Sequence, residues 1–300
     1  MDRRLLLLIN TASGRIRPRR TLRVLREELE RLGLDYDWYA SEEVDDLASR
    51  VAAAAGEGFT EILVWGGDGT ISRIAEPLIG TKIVLTILPG GTGNILARYL
   101  NMPVNLRGAV RNMLESPEVR SLDGLEVGER IYFLNISLGM SSLTITQLKS
   151  RAKRIFGLLS YIGGLLVHFF RLEPMNFAVR ADGSTYTVRG RELILCNAGF
   201  MKTPVAPVFA GSDPFDGKME CYIMTVETAG DFLAMVFDVI SGSIKRSERY
   251  LWKTVFYREL SVDGLPKLPI QADGDKITPE RLAVRIREGA VRIRVPSPQS

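Results

Sequence analysis

Two textures of apolar and polar positions divide this chain. Over residues 1 to about 122, short continuous apolar runs alternate with amphipathic stretches. Leu5 to Ile9, Glu61 to Trp65 and Lys82 to Leu88 have strand length and end in glycine-bearing turns, as buried parallel strands do. Leu22, Leu25, Leu29 and Leu32 recur at helical spacing over Thr21 to Leu32, with Arg and Glu on the other face. Val44, Leu47, Val51 and Ala55 form a second helical stripe. Asp37 to Ala40 reads as a strand, and Ser41-Glu42-Glu43-Val44 as a helix cap with an acidic first turn. Strand and helix in alternation imply a parallel sheet covered on both faces.

After Asp123 the alternation stops. Turns rich in Gly, Asp and Glu separate short strand-like runs at 125–127, 131–134, 176–180, 185–188, 193–197 and 219–226. Several alternate apolar with polar residues, as half-exposed antiparallel strands do. Residues 231–241 and 243–251 carry helical patterns, and Leu282 to Val295 alternates strongly enough to read as a terminal hairpin. The pattern predicts an α/β domain over 1–122 and a β-sandwich-like antiparallel domain over 123–300.

The turns carry the candidate chemistry. Gly66-Gly67-Asp68-Gly69-Thr70 follows one apolar strand and opens a helical stretch. Glycines let the backbone approach a ligand closely, and N–H groups at a helix start attract anions. The acid inside that cradle needs a metal ion, a hydroxyl or a proton to face, which is the arrangement of metal-assisted phosphoryl transfer. Pro89-Gly90-Gly91-Thr92-Gly93-Asn94 follows the next strand, and Asn10-Thr11-Ala12-Ser13-Gly14 follows the first. Three neighbouring parallel strands would bring these loops to one carboxyl edge, where open α/β sheets bind ligands.

Composition narrows the classes. Of 300 residues, 46% are hydrophobic and 25% charged, as in a soluble globular protein. A net charge of +4 is too small to argue for nucleic acid, yet it suits an anionic nucleotide or membrane surface. Leu5 to Ile9 is too short for a signal-peptide core, so the chain reads as cytoplasmic. Cys196 and Cys221 read as reduced core thiols. The single histidine, His168, excludes histidine triads and multi-histidine metal sites, leaving acid–base work to carboxylates, lysines or tyrosines. Ile155 to Phe170 is apolar and flanked by Lys149, Arg151, Lys153 and Arg154. It is too short to cross a bilayer, and reads either as a buried helix or as a surface resting on lipid headgroups.

Four blocks in order resemble the diacylglycerol kinase catalytic-domain family, which includes sphingosine and ceramide kinases and bacterial soluble lipid kinases. Asn10 to Gly14 is similar to its N-P-x-S-G loop, with Thr11 for proline. Gly66 to Thr70 matches GGDGT, Pro89 to Asn94 resembles P-x-G-T-x-N, and Asp273-Gly274-Asp275 resembles D-G-E. GGDGT alone is shared with NAD kinases and echoed in phosphofructokinases. GGDGT followed about twenty residues later by PGGTGN is the specific signal.

The resemblance implies an NAD kinase- or phosphofructokinase-like first domain and a lipid-binding second domain. It implies ATP and Mg²⁺ as cofactors, a lipid alcohol as substrate and a peripheral membrane surface as partner. It leaves the oligomeric state open, a homodimer included. It places the nucleotide on Asn10, Thr11, Ser13, Gly14, Arg15, Ser41, Gly66, Gly67, Asp68, Gly69, Thr70, Thr92 and Asn94. For Ser41 a plain helix cap is an equal alternative. Arg17, Arg19 and Arg20 extend the basic cluster begun by Arg15. Asp68 is implied to act through Mg²⁺ or a water. Asp275, one methylene shorter than the family's Glu, is implied as the general base, with Asp273 able to share the task. A structural Mg²⁺ loop is implied at Asp213, Asp216 and Lys218, with Asp123 as a further acid. Ile95 stands where many diacylglycerol kinases carry Asp. The alternatives are an NAD kinase-like enzyme and a nucleotide- or lipid-binding regulator.

Overall fold

The computed structural model describes residues 3–13, 18–91, 93–103, 105–147, 164, 167–199, 212–241, 248–263 and 268–296. The chain divides into two compact units, Met1–Leu122 with Glu288–Ser300, and Asp123–Arg287.

The first unit runs β1 (Arg4–Asn10), α1 (Pro18–Arg31), β2 (Asp35–Ser41), α2 (Val44–Ala54), β3 (Glu61–Gly66), α3 (Asp68–Ala75), β4 (Val84–Pro89), α4 (Ile95–Tyr99) and α5 (Leu106–Glu115). Its strands pair in parallel in the order β2-β1-β3-β4. Leu5 to Ile9 and Ile62 to Val64 are fully buried, so their apolar character reflects cover on both faces of the sheet. The strand order reverses between β1 and β3, and open α/β sheets bind ligands at the carboxyl side of such a point.

The second unit contains most of β5 (Val119–Val127), then β6 (Arg130–Tyr132), β7 (Asn135–Gly139), α6 (Met140–Gln147), β8 (Met175–Ala181), β9 (Ser184–Gly190), β10 (Glu192–Cys196), β11 (Met219–Met224), α7 (Ala229–Ile240), β12 (Leu251–Phe256), β13 (Glu259–Asp263), β14 (Ile270–Ala272), β15 (Asp275–Ile277) and the start of β16 (Leu282–Arg294). One antiparallel layer follows the order β12-β11-β10-β7-β14-β15. Its inner residues Ile136, Leu138, Leu193, Leu195 and Ile223 share a core with Phe177, Val179, Leu260, Val262, Leu282 and Val284 of β8, β13 and β16. Cys196 and Cys221 are both buried, as expected, and burial pushes the Cys221 thiol well above its usual range.

The end of the chain departs from its predicted place. Residues 282–294 form one strand and no hairpin. Its first residues pair antiparallel with β13, and Arg292 and Ile293 pair parallel with β4 in the first unit. The second domain predicted over 123–300 therefore ends at 287. The strong alternation came from a strand bent at Gly289, whose φ is +57°. The helix predicted over 243–251 also fails at its described end, where Glu248–Tyr250 is a 3₁₀ turn and Leu251 begins β12. The rest of that segment lies outside the described residues.

An ion pair fixes the returning strand. Arg294 makes a two-point contact with Glu61, Nε to Oε1 and Nη2 to Oε2, both at 2.8 Å. Glu61 also accepts from Arg3 Nε at 3.1 Å and from the Thr86 hydroxyl. The two partners are 1% and 7% exposed. Burial raises the Glu61 carboxyl, but bonds from Arg294 and Thr86 and the charges of Arg294 and Arg3 outweigh it and hold it below its usual range.

Glu61→Gln strands the Arg294 charge and is expected to cost about 3–5 kcal/mol at pH 7. Because Glu61 titrates lower in the folded state, its contribution is complete above the ordinary carboxylate range. It fades as pH falls through the lowered value. Urea denaturation at stepped pH should therefore show wild type and variant converging in acid.

Candidate active site

The glycine loops after β1, β3 and β4 meet at one sheet edge because their strands are in register. Ile9 lies opposite Trp65, Trp65 opposite Leu88, and Gly66 opposite Pro89. Three side-chain or backbone bonds tie the loops together. Asn10 Nδ2 donates to Thr70 Oγ1 at 2.7 Å, across the β1–β3 switch point. The Gly90 N–H donates to the Gly66 carbonyl at 2.9 Å. The Ile95 N–H, at the start of α4, donates to Asp68 Oδ1 at 2.6 Å.

The loops also touch backbone to backbone. A Cβ on Gly91 would lie 2.6 Å from the Gly67 Cα, and one on Gly93 2.6 Å from Asp68 Oδ2. A side chain at Gly91 would part the turns, and one at Gly93 would displace the Asp68 carboxylate. The glycines are required by this approach, since neither Gly67, Gly91 nor Gly93 has a positive φ. Asn94 sits in the left-handed region at φ 48°, and its amide closes the loop on the Gly91 N–H and carbonyl, both at 2.8 Å. Asn10 Oδ1 accepts the Ala12 N–H at 2.9 Å and shapes the first loop. Thus Asn10, Thr70 and Asn94 spend their side chains on loop architecture.

Ser41 is adjacent, because β1 and β2 pair Asn10 with Ser41 and the Thr11 N–H donates to the Ser41 carbonyl at 3.0 Å. It is not the cap of α2. That position is Glu43, and the Ser41 hydroxyl instead accepts the Glu43 N–H at 3.1 Å in a tight turn. Ser13 is half-buried on the first loop, and its N–H donates to the Asn10 carbonyl at 3.3 Å. Gly69 is exposed at the start of α3. Gly14, Arg15, Arg17 and Thr92 lie outside the described residues, and Arg20 is exposed on α1.

The second unit separates two carboxylates that lie two residues apart. Asp273 and Gly274 have φ of 50° and 95° and form the two-residue turn of the β14–β15 hairpin, with Ala272 opposite Asp275. Positive φ at both central residues is the turn that matches strand twist, which favours Asp-Gly. Asp273 is 8% exposed. Its carboxylate accepts the N–H groups of Phe133, Leu134 and Asn135 at 2.7, 2.9 and 3.0 Å. Asp275 is exposed on the next strand. The resemblance implied Asp275 as the base with Asp273 able to share the task; in the structure the Asp273 carboxylate is taken up by backbone N–H groups and Asp275 is exposed. Gln271 had no signal in the sequence. Its Oε1 accepts the Gly274 N–H at 2.8 Å and supports the same turn from beneath.

The candidate metal loop is tied to Asp123. The Asp123 N–H donates to the Pro214 carbonyl at 2.8 Å, and Asp123 Oδ2 accepts the Gly217 N–H at 2.8 Å. Asp213 Oδ1 accepts the Phe215 N–H, and Asp216 Oδ1 accepts the Lys218 N–H, at 3.1 and 3.0 Å. The Lys218 ammonium stands 3.6 Å from Asp216 Oδ2. Among the described residues no three His, Cys, Asp or Glu side chains converge as a metal set. The donors implied here include backbone carbonyls, and all are hard oxygens, which suits Mg²⁺.

His168 is buried, and burial with the nearby Arg171 holds its imidazole below its usual range, so it stays neutral and structural. Most of Ile155 to Phe170 lies outside the described residues. Within it Phe169 is buried and stacks on Phe232, while Phe170 is exposed. Among the described residues no helix is long and apolar enough to cross a membrane.

The comparisons with known proteins agree with this arrangement. The model of the diacylglycerol kinase catalytic domain matches residues 4–127, and that of the YegS C-terminal NAD kinase beta sandwich-like domain matches residues 135–295. The chain belongs to the diacylglycerol kinase catalytic-domain family, with the YegS-type second domain. A protein of Staphylococcus aureus (strain Mu3 / ATCC 700698) named "Putative lipid kinase" is 22% identical over 242 residues, covering 77% of this chain and 76% of that protein. A crystal structure of a "putative diacylglycerol kinase" from Bacillus anthracis str. Sterne superposes with a TM-score of 0.80 at 18% identity, covering 98% of this chain and 95% of the other. A second diacylglycerol kinase structure from that strain gives 0.78 at 17% identity, covering 98% and 97%. These likenesses establish the fold.

Gly91→Ala tests the backbone contact. It is expected to part the two turns and to raise amide exchange at Ile95 at least tenfold while β1 and β3 stay protected, as hydrogen-exchange NMR would show.

Proposed function

We propose that this protein is an ATP-dependent lipid kinase that transfers the γ-phosphoryl group to a lipid hydroxyl. The observation that carries this reading is the clasped set of three loops at the β1–β3 switch point, with Asp68 held among them. Family membership supports a kinase acting on a lipid. In this reading the turns Gly66 to Thr70 and Thr92 to Asn94 face phosphate oxygens, and Asn10, Thr11, Ser13, Gly14, Arg15 and Ser41 complete the nucleotide site.

Asp68 Oδ1 accepts the Ile95 N–H, which orients the carboxylate between the two loops. In this reading the carboxylate would hold Mg²⁺ or its water. Asp216, with the carbonyls of Asp213 and Lys218, would hold a structural Mg²⁺, with the Lys218 ammonium yielding its place. Mg²⁺ bound with ATP neutralises charge developing on the phosphoryl oxygens. Asp275 accepts the proton of the attacking lipid hydroxyl as the new O–P bond forms and the bond from the γ-phosphorus to the bridging oxygen breaks to release ADP, while Asp273 keeps the turn in place. The exposed Phe170 suits a protein that works at a membrane surface.

Incubation of the purified protein with ATP, Mg²⁺ and a total lipid extract is expected to yield phosphorylated lipid, detected by mass spectrometry. Product from NAD and none from lipid would place the activity with the NAD kinases. Two variants test the named roles. Asp68→Ala should abolish transfer with an unchanged circular dichroism spectrum, and retained turnover would refute its role. Asp275→Asn should lower kcat at least 100-fold and leave ATP affinity unaltered, since loss of a general base costs about 10²–10⁴; Asp275→Glu should keep measurable activity.

A further inference from the structure

Beneath the Asp273–Gly274 turn a file of buried polar side chains crosses the sheet and ends at a carboxyl that meets no cation among the described residues. On β7, Ile136 and Leu138 face the apolar core, so Asn135, Ser137 and Gly139 point to the opposite face. Gln271 on β14 lies opposite Ser137. Its Nε2 donates to Asn135 Oδ1 at 2.6 Å and to Ser137 Oγ at 3.0 Å. Ser137 Oγ lies 2.8 Å from Ser141 Oγ. The Ser141 hydroxyl in turn bonds Glu192 Oε1, and its N–H donates to Glu192 Oε2 at 2.9 Å. Glu192 is 1% exposed and lies opposite Gly139, where a Cβ would fall 2.6 Å from its Oε2. The glycine leaves room for this carboxyl.

The direction of the hydroxyls depends on the charge of Glu192. When it is ionised, Ser141 O–H points to Glu192, Ser137 O–H points to Ser141, and Ser137 Oγ is open to Gln271. When it is protonated, Glu192 donates to Ser141 and Ser141 donates to Ser137. Ser137 then receives two donors, from Ser141 and Gln271, and its own proton loses its acceptor among these groups. Gln271 is the residue that holds the Gly274 N–H.

The geometry points to Glu192 as a positioning residue for Asp275: its ionised form aligns the Ser141–Ser137 hydroxyls so that Gln271 fixes the turn that presents the base. This rests on the reading of Asp275 as general base. Burial lifts the Glu192 carboxyl to about 7, opposed by the bonds from Ser141 and from the Met140 N–H, and no charged side chain among the described residues contributes. The charged neighbours are engaged elsewhere. Arg191, just before β10, gives its guanidinium to the carbonyls of Phe169, Leu172, Val226 and Glu227. Glu220 on β11 pairs with Lys253 on β12 at 3.7 Å. Asp273 is taken up by the three β6–β7 N–H groups, and Asp275 and Lys276 on β15 are exposed. On α6 Ser141 bonds Glu192, while the hydroxyls of Ser142 and Thr144 donate to the carbonyls of Gly139 and Met140.

The test is the Gly274 amide resonance followed by NMR from pH 5.5 to 8.5, alongside kcat. Wild type is expected to titrate with a midpoint near 7 and to lose activity below it. Glu192→Gln, which imitates the neutral acid, should fix the resonance at its low-pH position and remove that limb of the rate profile. Ser137→Ala serves as the second variant: Glu192 still titrates, but Gly274 no longer reports it. A Gly274 resonance that is flat in wild type, or that titrates alike in wild type and Glu192→Gln, overturns the inference. The base assignment is judged separately. Full activity in Asp275→Asn with an intact Gly274 titration defeats that assignment alone, and an inactive Asp275→Asn with a flat Gly274 defeats only the role of Glu192.

Discussion

The candidate site depends on one steric constraint, the contact between the Gly67 and Gly91 backbones. Register brings the ends of β3 and β4 side by side, and any parallel pair would share that much. What is added is an approach so close that no Cβ fits, with Asp68 reaching across to the first N–H of α4. A carboxylate at a helix start satisfies an orphan donor and gains from the positive end of the helix. Here it also joins two loops, so the acid implied in phosphoryl transfer is placed by the bond that holds the loops together. Asn10 extends the same economy to the first loop through Thr70.

The second unit solves a similar problem with a different device. A two-residue hairpin turn is normally fixed only by its own strands. At β14–β15 the turn is pinned from outside, because Asp273 gathers three successive N–H groups from the segment entering β7, and its own N–H returns a bond to the Asn135 carbonyl. Hydrogen bonds to a charged acceptor are worth more than neutral ones, and each lost one leaves a buried donor unmet. Asp275 therefore stands on a rigid mount.

Much of this was legible. Continuous apolar runs in β1, β3 and β4, each followed by glycine, could only be buried parallel strands delivering loops to one edge. The two textures separated at Asp123 because alternation with helices gives way there to short antiparallel strands. Other features left no local trace. The alternating pattern of β16 is the same for a hairpin and for a long strand serving two units, and only the partner of Arg294 decides. Ser41 looked like a cap because its neighbours are acidic, but the helix begins later and its hydroxyl closes a turn instead. The resemblance favoured Asp275 as the base and left Asp273 able to share the task; what the sequence could not show is that Phe133 to Asn135 take up the Asp273 carboxylate. Gln271 and Glu192 were invisible for the same reason: their partners are distant in the chain.

Three buried glutamates show why partner, not residue type, sets the role. Glu28 meets Arg31, Arg107 and Arg111, and chiefly the Arg111 bond, against the cost of burial, holds it down to about 2. Glu61 meets Arg294 and Arg3 and is also held down. Both stay charged at any physiological pH, so each is an anchor whose contribution does not vary there. Glu192 is as deeply buried, but its partners are hydroxyls and N–H groups, and it rises to about 7. A purely structural carboxyl in that place would be better replaced by glutamine, which satisfies the same hydroxyl and N–H without a desolvation cost. The charged form of that acid can order hydroxyls that the neutral form does not, and the side chains in line from it lead to the turn bearing Asp275.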